Sequence, residues 1–353
     1  MRVVFAGGWR SKWEGWLRAI SMPIVDDRKT VARAMSKTVR DGLWLLVRAR
    51  NALRPQPTVR LPVPVISVGN ITVGGTGKTP LTQWLVVRLH QHGHRPAILT
   101  PLPADADEVR EHATTLPCPI YPGRDRVATA HQALVNGATA IVLDDGFQYR
   151  RLHRQLDIVL WDAMAWLHPD NPLLREPLAA LQRADVVVLS KADALDTAQR
   201  RALQERLNAW ANGAKVLAAF GYVPSGVWAW QQKASCPVTA LSGLRVVAAT
   251  AIGNPLYFAL TAQRAGCEVV ALVCFPDHHR FTPADAEDVL ALVRRWKADG
   301  VLTTRKDGLK WQKVWQAGVP LWILEVHLHW FWGENALLQT ALSACPGDEA
   351  VAR

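Results

Sequence analysis

Between an apolar run, Val63–Val68, and a segment with apolar residues at helical spacing (Leu81, Trp84, Leu85, Leu89), the chain reads Gly69-Asn70-Ile71-Thr72-Val73-Gly74-Gly75-Thr76-Gly77-Lys78-Thr79-Pro80. Gly74, Gly75 and Gly77, with Thr76 between them, let backbone N–H groups turn inward around phosphate oxygens. The N-terminus of a following helix adds positive potential there. Lys78 would reach the terminal phosphates and the Thr79 hydroxyl would ligate Mg²⁺. The strict phosphate-loop pattern wants glycine where Thr72 stands, but the placement between strand and helix supplies the context. Pro80 falls in the first helical turn, where the missing N–H costs no hydrogen bond.

Two further elements sit at the ends of strand-like runs. Ala140–Leu143 leads into Asp144-Asp145-Gly146-Phe147-Gln148, paired carboxylates on the rim where open α/β sheets bind ligands. They suit a divalent cation bridging phosphates, and the alternative is a turn that merely ends the strand. Val186–Leu189 leads into Ser190-Lys191-Ala192-Asp193, which resembles the element by which P-loop GTPases read guanine. A turn capping the next helix reads equally well. Phe275-Pro276-Asp277-His278-His279 follows a later strand, and a histidine there serves either as a general acid or base or as a solvated loop residue.

These pieces need a scaffold of alternating strands and helices, and the chain supplies it. Strand-like runs recur at Val63–Val68, Ala97–Leu99, Ala140–Leu143, Leu156–Trp161, Val186–Leu189 and Lys215–Phe220, with helical patterns such as Val127–Leu134 and Thr197–Trp210 between several of them. The pattern predicts a P-loop NTPase-like, doubly wound, mostly parallel α/β sheet. Pro, Gly and Ser interrupt the rhythm after Tyr222, and alternation resumes at Arg245. The expected organisation is a basic amphipathic segment over 1–54, a P-loop domain over 55–222, a linker over 223–244, a smaller α/β domain over 245–330 and a tail over 331–353.

The 353 residues are 49% hydrophobic and 20% charged, a globular composition with enough apolar residues for a core. The net charge of +11 fits an anionic partner without choosing among phosphorylated substrate, nucleic acid and membrane surface. The five cysteines include no CxxC pair, which argues against a disulfide framework or a cysteine zinc site. No run approaches the roughly 18 apolar residues of a membrane-spanning helix. Residues 28–54 carry Arg28, Lys29, Arg33, Lys37, Arg40, Arg48, Arg50 and Arg54 around Leu43, Trp44, Leu45, Leu46 and Val47. That pattern fits a helix lying on an anionic membrane or one packed on the body with solvated arginines.

Taken together, VPVISVGNITVGGTGKTP (63–80), GRDRV (123–127), DDGFQ (144–148), LLREPL (173–178), IGNP (252–255), FPDHH (275–279) and the Lys306-Asp307 pair resemble the tetraacyldisaccharide 4'-kinase family of lipid A biosynthesis. The resemblance implies phosphorylation of the 4'-hydroxyl of an acylated glucosamine disaccharide 1-phosphate by ATP and Mg²⁺, giving lipid IVA. It implies peripheral attachment to the cytoplasmic face of the bacterial inner membrane, with no nucleic acid and no obligate protein partner. Carried over by motif, Lys78, Asp107 and His278 are catalytic, and Thr79, Asp144, Asp145 and Glu176 hold the metal. Gly74, Gly75, Thr76, Gly77, Lys78, Thr79, Gln148 and Arg126 bind the nucleotide.

The chain departs from the family pattern in places. A Ser-Arg-Gly-Tyr-Gly segment that usually follows the second strand is missing, Tyr149 stands for a usual histidine, Val109 for a proline and Arg305 for a glutamate. A GTPase of the metal-insertion or chaperone type and a paralogue that has lost catalysis are the two alternatives. The family pattern begins well after Met22, which leaves a later translation start as a further alternative. The basic segment generates a first prediction. Basic side chains near an anionic surface contribute about 1 kcal/mol each before screening, so the protein is expected to float with phosphatidylglycerol vesicles at low salt and to be released at high salt. Removing residues 28–54 should abolish flotation, and a full-length protein that ignores such vesicles at low salt would make the segment structural.

Overall fold

β-Branched runs bounded by glycine, proline or a carboxylate form the strands, and amphipathic runs between them form the helices. The first half contains β1 (Arg2–Phe5), β2 (Val65–Asn70), α1 (Lys78–Gln91), β3 (Pro96–Pro101), β4 (Ile120–Gly123), α2 (Arg126–Val135) and β5 (Ala140–Asp144). It continues through β6 (Leu156–Asp162), β7 (Val186–Ser190), α3 (Thr197–Ala211) and β8 (Val216–Ala229). The second half contains β9 (Ala234–Cys236), β10 (Arg245–Thr250), α4 (Pro255–Arg264), β11 (Glu268–Cys274) and α5 (Pro283–Trp296). It ends with β12 (Gly300–Thr304), α6 (Arg305–Trp311), β13 (Leu321–Trp332) and α7 (Glu334–Ala344). This computed structural model describes residues 2–5, 58–72, 75–102, 116, 118–165, 174–211, 216–277, 279–316 and 318–346. Gly74, Asp107, His278 and the basic segment 28–54 lie outside the described residues.

The thirteen strands of the described residues form one sheet in the order β1-β11-β10-β12-β13-β8-β7-β6-β2-β5-β3-β4, with β9 attached to β8. All pairings are parallel except β8 with β13 and β8 with β9. β8 is 14 residues long, and its first part pairs with β7, Leu189 opposite Ala219. Its last part pairs with the start of β13, Val227 opposite Leu324, which in turn lies opposite Thr304 of β12. The two halves therefore run in opposite directions and are offset along the β8–β13 ribbon. Their carboxyl rims face each other across residues 221–226 of β8, a span of roughly 20 Å at about 3.3 Å per residue.

Residues 223–229, expected in a linker, belong to β8. Pro224, Ser225 and Gly226 are strand breakers by type, but a strand tolerates them at a bulge, where proline needs no ladder donor. The register shifts there, Glu325 pairing with Gly226 and Val326 with Pro224. The expected tail over 331–353 holds the end of β13 and helix α7, which buries Leu337 and Ala341 in the first half's core beside Leu81, Leu85 and Leu89 of α1. Trp84 and Arg88 of α1 both donate to Glu334 at the start of α7, at 3.2 and 3.0 Å. Residues 2–5 add an edge strand parallel to β11.

The second half has its own core around Trp311, which is fully buried. Its ring stacks on Phe281 at 3.8 Å and meets Phe275 edge-on at 5.9 Å. Phe275 opens the FPDHH loop, so this cluster fixes where that loop leaves β11. Trp311→Ala should cost about 3–5 kcal/mol of stability, the range for truncating a large buried aromatic. A chemical-denaturation midpoint close to that of the parent protein would show the cluster to be dispensable.

Candidate active site

The phosphate loop leaves β2 at Asn70, a fully buried side chain. Asn70 Nδ2 donates to the Thr72 carbonyl at 2.8 Å and to Thr76 Oγ1 at 2.9 Å, which draws both ends of the loop onto the strand end. Gln148 Nε2 donates to the Asn70 carbonyl at 2.8 Å, fastening the Asp-Asp-Gly loop to the same point. Gly77 precedes α1 at a φ of 88°, in the left-handed region. A Cβ there would lie 2.3 Å from the Tyr222 hydroxyl, so glycine is required both for the turn and for the space. No side chain caps α1. Its first N–H groups are thus open to an anionic ligand, as a phosphate site requires.

Lys78 lies at the head of α1, its Nζ 3.4 Å from Asp145 Oδ1. Asp145 has a positive φ of 52°, and Arg175 Nη1 donates to both its oxygens at 3.0 and 2.9 Å. Burial pushes the Asp145 carboxyl up, but Lys78 and Arg175 outweigh it and hold the group below the usual carboxylate range. Asp144, at the end of β5, is buried and accepts from Thr82 Oγ1 at 3.3 Å. Thr79 follows Lys78 in the first turn of α1.

The metal set is not assembled as a cage. Glu176 is buried against Arg150 at 3.3 Å and against Arg183 at 2.7 Å, which commits its oxygens to guanidinium groups. Among the described residues no group of three or more His, Cys, Asp or Glu side chains is placed to hold a metal ion. Magnesium bound through substrate phosphates needs only one or two protein carboxylates. Asp144, a hard oxygen donor at the end of β5, fits that demand, whereas Asp145 and Glu176 would each have to exchange a cationic partner for the ion.

Arg126 and Gln148, expected to bind the nucleotide, each donate to a backbone carbonyl of the site, Gln148 from an exposed position. The Arg126 guanidinium is buried, donates both Nη groups to the Asp145 carbonyl at 3.1 and 3.2 Å, and lies over the Tyr149 ring. Each buttresses the site from behind. Arg175, within the LLREPL segment, was not singled out and proves to be a direct partner of Asp145.

The Ser190-Lys191-Ala192-Asp193 element has a different use from guanine reading. The Asp193 carboxylate accepts from the Tyr257 hydroxyl at 2.6 Å and pairs with Arg264, both on α4 of the second half. Lys191 points beneath the phosphate loop. Across the cleft, Gly253 of the IGNP turn sits against Gly75, its N–H nitrogen 3.5 Å from where a Gly75 Cβ would be. Asp307 of α6 is fully buried and accepts from the Thr250 hydroxyl, the Ala251 N–H and the Thr304 hydroxyl at 2.8, 2.8 and 3.0 Å. It therefore fixes the turn that meets the phosphate loop. His279, next to His278, has its Nε2 3.0 Å from Asp285 Oδ2 and stacks on Phe275 at 5.1 Å, anchoring the FPDHH loop to the N-terminus of α5.

A guanine-reading aspartate must offer its carboxylate to the base, and Asp193 has spent its oxygens on α4. Asp193→Ala should leave the ratio of ATP to GTP affinity unchanged while lowering the melting temperature through loss of the contact between halves. Tight GTP binding in the parent protein that is lost in this variant would restore the guanine reading.

The family model described as Tetraacyldisaccharide-1-P 4'-kinase matches residues 39–100 and 106–345. Among curated relatives, a tetraacyldisaccharide 4'-kinase of Anaeromyxobacter sp. strain K is 35% identical over 330 residues, 82% of this chain and 85% of that protein. Another, from Syntrophus aciditrophicus, is 30% identical over 305 residues, 77% of this chain and 81% of that protein. Among solved structures, LpxK from Aquifex aeolicus in complex with ATP superposes with a TM-score of 0.62 at 23% identity, covering 89% of this chain and all of that one. That structural likeness concerns the fold. The family match spans most of the sequence, and its strings fall on the loops that line both rims of the cleft. The chain belongs to the tetraacyldisaccharide 4'-kinase family.

Proposed function

We propose that this chain transfers the γ-phosphoryl group of ATP to the 4'-hydroxyl of an acylated glucosamine disaccharide 1-phosphate, giving lipid IVA. The observation that carries the chemistry is the uncapped head of α1, opened by Gly77 and bearing Lys78 beside Asp145. That arrangement offers backbone donors, a mobile cation and hard oxygen ligands at one point, which is what phosphoryl transfer asks of a protein. MgATP, when bound, supplies the phosphoryl group and a divalent charge on its phosphates. Thr79, Asp144 and Asp145 would hold the ion, and Gly74, Gly75, Thr76, Gly77 and Lys78 would hold the phosphates.

The chain's own residues then divide the work. Lys78 offsets negative charge that builds on the transferred group, and it can leave Asp145 to do so because Arg175 remains as that carboxylate's partner. Asp107, oriented by His278 of the second half, takes the proton from the sugar hydroxyl. His279 and Phe275 support that assignment by holding the loop that carries His278. The fold brings the end of β11 to the rim facing the phosphate loop, so sugar and nucleotide would meet in the cleft between the halves.

Membrane attachment is proposed as peripheral, through the basic segment 28–54, at the cytoplasmic face of the inner membrane. No helix of the described residues is long and apolar enough to cross a bilayer. The anionic disaccharide lipid is itself a component of such a surface, and the net charge of +11 suits a protein that works against it.

Lys78→Ala should lower transfer of labelled phosphate from ATP to the disaccharide lipid by about a hundredfold or more with the melting temperature preserved. Asp107→Ala and His278→Ala should each lower kcat strongly, and the double variant should be little worse than either, because residues acting as a unit are not additive. Independent, small effects of the two changes would place the base elsewhere, with Asp105 the next residue to test.

A further inference from the structure

We propose that Lys191 is a positioning residue of the phosphate loop. It holds the Gly75 carbonyl toward the protein and so turns the Thr76 N–H toward the nucleotide's phosphates. The inference rests on the nucleotide reading above and adds a residue to it.

Lys191 follows β7 and its side chain is 3% exposed. Its ammonium donates to the Gly75 carbonyl at 2.6 Å and pairs with Asp162 at the end of β6. Asp162 is itself fixed, its other oxygen accepting from the Met164 N–H at 2.9 Å. The ammonium also lies 5.4 Å from the centre of the Tyr257 ring, within reach of a cation–π attraction. All of its directions are thus occupied by protein, and only one of them is a backbone group of the phosphate loop.

The peptide joining Gly75 to Thr76 is planar and trans, so its carbonyl and its N–H point in opposite directions. With the carbonyl held inward by a buried cation, the Thr76 N–H faces outward over the head of α1. A flipped peptide would present a carbonyl oxygen to the phosphates instead, and two partial negative charges would meet. Glycine at position 75 leaves the backbone free to flip, because it populates both signs of φ with little cost. Some other group must therefore choose the orientation. The neighbouring residue is pinned separately, since Thr76 Oγ1 accepts from Asn70 and the Thr76 side chain is buried.

Two features argue that Lys191 is placed for this purpose rather than for the ion pair alone. Its φ is 56°, a left-handed conformation uncommon for a residue other than glycine, asparagine or aspartate. Such conformations persist where the surroundings over-determine them and cluster at functional sites. An ion pair between the ends of β6 and β7 does not require the lysine to cross to the phosphate loop, and here it makes a short bond to the Gly75 carbonyl of that loop.

The test compares the parent protein with Lys191→Met and with the double variant Lys191→Met/Asp162→Asn, which removes both charges and keeps their volume so that no lone carboxylate is left buried. Isothermal titration with ADP and with adenosine is the readout. One donor to a charged group is at stake, so both variants should bind ADP about tenfold or more weakly. Adenosine, which carries no phosphate, should bind as it does to the parent protein. A folded double variant with unchanged ADP affinity overturns the proposal. An equal loss for ADP and adenosine also overturns it, because a merely structural lysine loosens the whole site. A parent protein that binds no ADP overturns both this proposal and the nucleotide reading beneath it.

Discussion

The offset antiparallel pairing of β8 with β13 is the constraint on which the rest of the molecule depends. Each half is an ordinary parallel arrangement, and a parallel sheet gathers its ligand-binding loops at the carboxyl ends of its strands. Joining two such halves through one antiparallel ribbon reverses the direction of the second. Had the halves been level along the ribbon, their carboxyl rims would lie on opposite edges of the sheet. The ribbon is long enough to stagger them instead. β7 ends opposite the early part of β8, and β12 ends at the level of Leu324 opposite Val227, further along it. The rims consequently face one another, and Gly75 of the first comes to lie opposite Gly253 of the second. The bulge at Ser225, between Pro224 and Gly226, falls in the stretch that spans the gap.

Charge at the first rim is arranged before any ligand arrives. Asp145 sits among Lys78, Arg175 and the Arg126 guanidinium on its carbonyl, and Glu176 sits between Arg150 and Arg183. A cluster of this kind in a low-dielectric rim would be costly if either sign were left unpaired. Each carboxylate therefore has more than one cation, so that one partner can be withdrawn without stranding the other. Lys78 reaches one Asp145 oxygen from 3.4 Å on a long flexible stem, whereas Arg175 Nη1 donates to both oxygens at 3.0 and 2.9 Å. Of the two, Lys78 therefore has the looser hold on Asp145.

Much of this was legible in the sequence because it is local. A glycine-rich turn between an apolar run and an amphipathic run carries its own reason, and Gly77, Lys78 and Thr79 stand where that reason puts them. Asp144 and Asp145 were equally legible, as a strand end on the same rim. The unread features depend on contacts distant in sequence. Pro224, Ser225 and Gly226 read as a break because their effect depends on a partner strand about a hundred residues later, and only that partner turns them into a bulge. Lys191 and Asp193 matched a known string, but their roles are set by Gly75, Tyr257 and Arg264, none of them near in sequence. Arg126 and Gln148 were expected to touch the nucleotide because of their motifs. Arg126 donates to the Asp145 carbonyl and Gln148 Nε2 to the Asn70 carbonyl, bonds invisible without the fold.

Three loops of the cleft are held from beneath by buried polar residues that hydrogen-bond to backbone. Asn70 holds the start of the phosphate loop, Lys191 its middle, Arg126 the Asp-Asp-Gly loop and Asp307 the turn before IGNP. Burying such groups is unfavourable unless they are paired, and once paired in a poorly polarisable surrounding they are hard to displace. An apolar support would exclude water equally well, yet it would not select between two orientations of a peptide. Where a loop must present N–H groups on one side, the support needs a donor or an acceptor aimed at a particular carbonyl or amide. The rims are built this way on both halves, with a cation or amide beneath carbonyls on the phosphate side and a carboxylate beneath an amide on the other. The polarity of each support follows from which end of the peptide must be kept away from the cleft.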